Sequence, residues 1–116
     1  MAPLSIIIPT LNEAASLGRT LAHVRALDPP AFEVLVVDGG SIDATREIAT
    51  AAGVAVSPCA MAGRAIQMNA GARQARGDLL CFLHADTLVP TDLVAIAERV
   101  LADRSTAGAG FVSLMC

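Results

Sequence analysis

The chain has no lysine, tryptophan or tyrosine among its 116 residues, and it has only three phenylalanines. Without lysine there is no Schiff-base lysine and no lysine of a Walker-type phosphate loop. Its eight basic residues are therefore all arginines, and eleven acids outweigh them to give a formal net charge of −3. A chain with no polybasic surface and few aromatic stacking platforms is not expected to bind nucleic acid.

Cysteines and long apolar runs are also scarce. The three cysteines form no CxxC pair, a pattern that argues against a disulfide framework and against a zinc site, and favours a reducing compartment. No apolar run is long enough to cross a bilayer, and the N-terminus lacks the basic and apolar segments of a signal peptide. We therefore expect a cytoplasmic protein with no transmembrane segment.

The composition that remains is that of a folded domain. Hydrophobic residues make up 54% of the chain, charged residues only 16%, and the mean hydropathy is +0.60. Disordered chains are more polar and more charged than this. A length of 116 residues suits one domain, so residues 1–116 are predicted to form a single unit.

Short apolar runs alternate with helical patterns along the chain. The runs at residues 4–8, 34–37, 54–56 and 79–83 show no polar alternation, which is typical of parallel strands buried on both faces. The apolar tail from residue 108 to 116 predicts the start of a further strand. Because strand and helix alternate four times, we expect an α/β fold with a parallel sheet.

Four helices are predicted between these strands. The first carries Leu17, Leu21, Val24 and Leu27 on one face. The second, over 44–52, is capped by Ser41 or Asp43 and ends at Gly53, and the third covers 64–75. The fourth is capped by Thr91, and its apolar face is expected to comprise Leu93, Ile96, Val100 and Leu101.

Polar residues gather where the predicted strands end. Residues 9–13 follow the first strand, Asp38 ends the second, and His84 and Asp86 follow the fourth. Ligands of open α/β sheets bind outside these carboxyl ends. Helix capping alone would explain Asn12 and Asp43, but it does not explain Asp38 or the pairing of His84 with Asp86.

Four ordered motifs carry a family resemblance over nearly the whole chain up to about residue 90. SIIIPTLNE (5–13), VLVVDGGSIDAT (34–45), GRAIQMNAGAR (63–73) with ARGD (75–78), and FLHADT (82–87) resemble the family 2 glycosyltransferases of the GT-A fold. GRAIQMNAGA and FLHADT are similar to a bacterial branch associated with radical-SAM and selenodomain proteins. The resemblance implies a Rossmann-like three-layer α/β/α sandwich with a mostly parallel sheet.

The resemblance also implies a function. The donor would be a nucleoside-diphosphate sugar, UDP- or GDP-linked, and the transfer would be inverting and assisted by Mn²⁺ or Mg²⁺. A divalent cation suits an acidic chain without lysine, because it can neutralise the diphosphate.

Site residues follow from the matched motif positions. Asp38 would accept a hydrogen bond from the base, Arg64 would reach the nucleotide or diphosphate, and Asp86 would hold the metal, with His84 as a second ligand. The full nucleotide-binding set implied is Pro9, Thr10, Leu11, Asn12, Glu13, Asp38, Gly39, Arg64, Asn69 and His84.

Two positions depart from the family's pattern. Gly39 stands where the family often has a second acid, so one ribose or base contact is lost or passes to the backbone. His84 stands at the first position of the Asp-x-Asp motif. It could ligate Mn²⁺, hydrogen-bond the ribose or a phosphate, or be a satisfied histidine at a strand end. Arg64 could equally be a solvated arginine at a helix start.

The family's acceptor half, which supplies the general base, follows the metal motif. Asp92, Glu98 and Asp103 all fall on the predicted fourth helix and match no base motif. We therefore expect a donor-binding half that lacks its own general base. The alternative is a non-catalytic nucleotide-diphosphate-binding module acting in an oligomer, and a nucleotidyltransferase is a weaker third option. The apolar tail at 108–116 predicts a homodimer.

Overall fold

The computed structural model describes residues 3–87, 91–105 and 112–115. Strands and helices alternate throughout these ranges, as the sequence predicts. Their bounds are β1 Leu4–Thr10, α1 Ala14–Arg25, β2 Glu33–Asp38, α2 Thr45–Ala51, β3 Ala55–Pro58, α3 Arg64–Gln74, β4 Leu79–Phe82, α4 Leu93–Ser105 and β5 Val112–Met115.

The five strands form one parallel sheet in the order β3-β2-β1-β4-β5. The predicted α/β class and parallel sheet are therefore confirmed. The tail does form a strand at residues 112–115, where Leu114 pairs with Cys81. Residues 108–111 and 116 of the predicted tail lie outside the described residues.

The sheet is covered on both faces. Successive side chains of β1 point to opposite sides, so Ile6 and Ile8 pack with α1, α2 and α4, whereas Ile7 packs with alanines of α3 and with Val37 of β2. This arrangement gives the three layers that were expected. Cys81 is buried in the larger cluster and is disulfide-bonded, which the cysteine pattern did not predict.

The predicted faces and caps of the helices are partly corrected. The first helix buries Leu17, Leu21 and Val24 as expected, and Leu27 is buried just beyond its end. The residue that precedes α2 is Ala44, so neither Ser41 nor Asp43 occupies the cap position. Gly53 follows α2 with φ +79°, a left-handed conformation that glycine adopts without strain.

The predicted apolar face of the fourth helix is confirmed at Leu93 and wrong at Ile96. Helix α4 begins at Leu93, two residues after Thr91, and buries Leu93, Val94 and Ala97. At about 100° per residue, Ile96 falls at the flank of that stripe, and its side chain is 36% exposed. The side chains of residues 100 and 101 lie outside the described residues.

The chain reverses its direction across the sheet at β1. From β1 it moves outward to β2 and β3, and it then crosses back to place β4 on the other side of β1. In an open α/β sheet, such a reversal leaves a crevice at the carboxyl ends of the two strands. None of the helices in the described ranges combines the length and apolar character that crossing a bilayer requires.

Candidate functional site

A cavity of about 330 Å³ lies at this reversal point. Three segments far apart in sequence build it: the loop after β1, the start of α3 and the turn after β4. Its lining comprises Pro9, Thr10, Leu11, Glu13, Gly63, Arg64, Gln67, His84, Ala85 and Asp86. The structure thus brings together seven residues predicted for the site: Pro9, Thr10, Leu11, Glu13, Arg64, His84 and Asp86.

The start of α1 is capped by the neighbouring β2–α2 loop. Three successive backbone N–H groups donate to side chains of that loop: Asn12 to Ser41 Oγ, Glu13 to Thr45 Oγ1, and Ala14 to Asp43 Oδ2. These N–H groups lack partners within a helix. The chain itself therefore supplies acceptors for these three donors at the helix start.

Asn12 belongs to the same junction. Its Oδ1 accepts from the N–H of Ile42 at 2.8 Å, and its backbone lies in the left-handed region with φ 55°. The side chain does not contribute to the cavity lining. Its side chain joins the β1–α1 and β2–α2 loops, and the expectation that Asn12 lines the nucleotide stays a prediction.

Asp38 is buried, with only 1% exposure. Its Oδ1 accepts from the hydroxyls of Thr10 (2.8 Å) and Ser41 (2.5 Å). Its Oδ2 accepts from the backbone N–H groups of Gly40 (3.1 Å) and Ser41 (2.8 Å). Arg46 Nε lies 3.8 Å from the same Oδ2. The carboxylate thus holds the β2–α2 loop against the end of β1.

This environment controls the ionisation of Asp38. Burial alone would raise the pKa of the carboxyl, but hydrogen bonds from Ser41, Thr10 and Gly40 outweigh it and hold the pKa below its ordinary value. The prediction that Asp38 offers its carboxylate to a base in the crevice is not supported by this arrangement, because both oxygens are already bonded within the chain.

Gln67 is a site residue that sequence reasoning missed. It is 4% exposed, and its Nε2 donates to the carbonyls of Thr10 and Val37, both at 2.8 Å. Its Oε1 accepts from the N–H of Gly63 at 3.0 Å. The available signal was a lone glutamine on the face of α3 that packs against the sheet, where a buried amide needs partners.

Two further predicted residues, Gly39 and Asn69, do not line the cavity. A Cβ on Gly39 would come within 2.9 Å of Gln67 Oε1 and 3.2 Å of Ala62 Cα, which explains why no acid stands there. Asn69 is exposed on α3, about 200° around the helix from the buried Gln67. The nucleotide-binding role of Asn69 therefore stays a prediction that the cavity lining does not support.

Arg64 and His84 meet across the cavity. Arg64 Nη2 lies 2.7 Å from His84 Nδ1. Because a guanidinium only donates, we assign Nδ1 as the acceptor and place the proton of a neutral imidazole on Nε2. Neither ring nitrogen then has a lone pair for a cation. The expectation that His84 ligates the metal is not supported by this arrangement, which makes His84 a hydrogen-bond donor.

Asp86 remains as the carboxylate able to hold a divalent cation. It is exposed, and the same cavity lining includes Glu13. The described residues contain no cluster of three metal-ligating side chains. Mg²⁺ and Mn²⁺ can be held by one or two carboxylates together with phosphate oxygens and water. The buried hydroxyl of Thr20 donates to the carbonyl of Ala85 and so fixes the turn that presents Asp86.

Comparisons with known proteins identify the family and the fold. Residues 5–111 match the sequence profile of glycosyl transferase family 2. A curated relative is the undecaprenyl-phosphate 4-deoxy-4-formamido-L-arabinose transferase of Serratia proteamaculans (strain 568). It is 34% identical over 110 residues, a match that covers 82% of this chain and 33% of the relative.

Two solved structures share the fold. TarS 1–349 of S. aureus in complex with UDP gives a TM-score of 0.80 at 26% identity, covering 87% of this chain and 32% of that one. The mannosyltransferase PcManGT of Pyrobaculum calidifontis, in complex with GDP-Man and Mn²⁺, gives 0.78 at 30% identity, covering 88% and 33%. The chain therefore spans about a third of the length of its relatives.

Proposed function

Because this chain belongs to glycosyltransferase family 2, we propose that it binds a nucleoside-diphosphate sugar in the cavity at the ends of β1 and β4. The protein then transfers the sugar to an acceptor with inversion. The observation that carries this proposal is the convergence of seven predicted residues on one cavity: Pro9, Thr10, Leu11, Glu13, Arg64, His84 and Asp86. Structural relatives with UDP or with GDP-Man and Mn²⁺ bound support it.

The chain's own groups suit an anionic ligand. Arg64 supplies a positive charge, and its bond to His84 Nδ1 leaves the Nε2–H of His84 to donate to a phosphate or ribose oxygen. The loop after β1 is held by Asp38 from one side and by Gln67 from the other. The donors of the site are therefore positioned before the ligand arrives, which lowers the entropic cost of binding.

The proposed cation is Mn²⁺ or Mg²⁺, held by Asp86 with the phosphate oxygens of the donor. When bound, it would offset the charge that develops on the diphosphate leaving group. An exposed carboxylate in a cavity that also contains Glu13 is consistent with such a site.

Two finer assignments also belong to this proposal, the family branch and a homodimer. The motifs at 63–73 and 82–87 support membership of the branch associated with radical-SAM and selenodomain proteins. Strand β5 supports a homodimer, because it forms the outer edge of the described sheet and an edge strand can pair with a second copy. Light scattering on the intact chain tests the dimer, and a monomer at every concentration contradicts it.

The cytoplasmic location remains a prediction of the cysteine pattern, and the disulfide at Cys81 argues against it. Alkylation of thiols in freshly lysed cells distinguishes a reducing compartment from an oxidising one. A modified Cys81 indicates a reducing compartment, and an unmodified Cys81 that reacts only after reduction indicates an oxidising one.

The function is tested by thermal unfolding and calorimetry with UDP, GDP, CDP and TDP, each with and without Mn²⁺. We expect one diphosphate to raise the unfolding temperature in a metal-dependent way, because a ligand that binds only the folded state stabilises it. The matched control is Asp92→Asn, which removes an exposed acid outside the cavity lining. No stabilisation by any diphosphate, with or without metal, would contradict the proposal.

A further inference from the structure

The side-chain amide of Gln67 connects two segments of the cavity wall with the end of β2. Through Nε2 it reaches the end of β1 at the Thr10 carbonyl and the end of β2 at the Val37 carbonyl. Through Oε1 it holds the N–H of Gly63, the residue before α3. Because Thr10 and Gly63 both line the cavity, one buried side chain fixes their positions relative to each other and to β2.

All polar atoms of the Gln67 side chain are engaged in these hydrogen bonds. Both hydrogens of its amide nitrogen and its amide oxygen are used within the chain, so the side chain has no free donor for a ligand. Its place in the cavity wall is therefore that of a support. It acts through the loops that it holds, above all through Gly63, which precedes Arg64.

Gly39 makes room for this amide. A Cβ at position 39 would lie 2.9 Å from Gln67 Oε1 and 3.0 Å from its Cδ, at or below the shortest approach of real Cβ atoms to other heavy atoms, and 3.2 Å from Ala62 Cα. The positive-φ glycines in the described residues are Gly40, Gly53 and Gly63. Gly39 is not among them, so space rather than backbone conformation requires a glycine there.

We infer that Gln67 is the positioning residue of the donor cavity, and that Gly39 is a glycine because Gln67 fills the space beside it. The part that concerns ligand binding rests on the proposed function. The part that concerns the loops does not, because it can be measured without a ligand.

The first experiment compares Gln67→Met with Gln74→Met in the full chain. Methionine keeps the length of glutamine but removes both polar groups. Gln74 is a matched control because it also lies on α3 and donates to a neighbouring strand, at Ser57 Oγ (2.7 Å), but it does not line the cavity. Hydrogen exchange is followed in the free protein, and binding of UDP and GDP with Mn²⁺ is followed by calorimetry.

In Gln67→Met we expect the amide of Gly63 to exchange about tenfold faster, because it loses its acceptor. We expect the dissociation constant of the bound diphosphate to rise by about tenfold as the loops lose their relative positions. Gln74→Met should change neither quantity. Unchanged exchange in Gln67→Met, or an equal loss of binding in both variants at equal unfolding temperatures, overturns the inference.

These outcomes separate the inference from the proposed function. If the wild-type chain binds no diphosphate but only Gln67→Met accelerates exchange at Gly63, the proposed function fails and the positioning role stands. If exchange does not distinguish the two variants, the positioning role fails whatever the chain binds.

A second set of variants covers the case in which Gln67→Met does not fold. Gly39→Ala pushes against the amide without altering Gln67, so it should accelerate exchange at Gly63. Gln67→Ala removes the obstructed group and leaves only the 3.2 Å contact with Ala62 Cα, so Gly39→Ala should have a much smaller effect in the Gln67→Ala background than in the wild type. Additive effects of the two substitutions overturn the explanation given for Gly39.

Discussion

An aspartate at the end of a buried strand can either contact a ligand or accept hydrogen bonds that hold the fold, and Asp38 raises this question. A carboxylate that ends a buried strand suggests a ligand contact, and the family resemblance favoured that reading. The structure shows that two hydroxyls and two backbone N–H groups occupy its oxygens. The sequence alone does not reveal this, because three of those donors come from a turn whose geometry had to be known first.

We predict that Asp38→Asn lowers the free energy of unfolding by about 1.5–3 kcal/mol at pH 7, the range for hydrogen bonds to a charged group. An asparagine keeps one acceptor but turns an NH₂ group toward a hydroxyl or toward backbone donors. Urea unfolding measures the change, and Asp92→Asn, an exposed acid, is the control. Equal stability of the two variants would contradict the buried role of Asp38.

The same carboxylate makes stability depend on pH. The pKa of Asp38 is lowered in the folded chain, whereas in the unfolded chain it is about 3.9. Its contribution is therefore fully present above about pH 5 and is lost as the pH falls through 4 toward the lowered value. Urea unfolding from pH 7 to pH 3 should show a smaller acid-induced loss for Asp38→Asn than for wild type. If the free energy of unfolding falls equally with pH in wild type and in Asp38→Asn, Asp38 does not contribute to the pH dependence of stability.

The metal prediction distinguishes Asp86 from His84. Asp86→Asn should abolish the dependence of diphosphate binding on Mn²⁺, because it removes the exposed charge that can hold a cation. His84→Ala should weaken binding and leave that dependence intact, because His84 is paired with Arg64. Calorimetric titration with and without Mn²⁺ measures both effects. The reverse order of effects would make His84 the main ligand.

At the scale of elements, the strands were predictable and some helix details were not. Each apolar run became a strand within two residues of its predicted bounds, because a parallel strand buried on both faces needs no other signal. The face of α4 was mispredicted because alanine carries little hydrophobic signal, and Ala97 faces the core where Ile96 was expected.

Helix α3 lies unusually close to the sheet, and Gly71 allows this. A Cβ at Gly71 would come within 2.5 Å of Ile7 Cγ2 and 3.1 Å of Val37 Cγ2. We predict that Gly71→Ala destabilises the fold by about 1–3 kcal/mol through overpacking, although alanine favours helices. The unfolding midpoint in urea measures the change.

Gly18 provides the matched control for this prediction. It is an exposed helical glycine of α1, and its added Cβ would meet Ile48 Cγ2 at an ordinary 3.7 Å. Gly18→Ala should therefore raise the free energy of unfolding by about 0.5–1 kcal/mol. Stabilisation by both alanines would show that α3 can move away from the sheet without cost.

At the scale of the whole molecule, the topology located the site before any side chain was placed. Strand order reverses at β1, and seven of the predicted residues line the cavity at that reversal. The contacts that make the site rigid were not predictable. Gln67 bonds residues 30 and 57 positions away, and the caps of α1 come from about 30 residues ahead. Hydrophobic periodicity contains no information about such pairs.

The opposite end of the sheet is held by a separate network. Ser5 is fully buried; its Oγ donates to Glu33 Oε2 at 2.8 Å and accepts from the N–H of Gly77 at 2.9 Å. Ser5 and Thr10 are the second and last residues of β1, about 16 Å apart in an extended strand. This network should therefore stabilise the fold without contributing to ligand binding.

We predict that Ser5→Ala lowers the free energy of unfolding by about 1–3 kcal/mol, because it removes a hydrogen bond to the Glu33 carboxylate and leaves the partly buried N–H of Gly77 without its acceptor. Diphosphate affinity, measured by calorimetry well below the unfolding temperature, should stay at the wild-type value. Combined with Asp86→Asn, the effects on stability should add within about 0.5 kcal/mol, as expected for sites more than 10 Å apart. A change in affinity in Ser5→Ala, or a clear departure from additivity, would show that the two ends of the sheet are energetically coupled.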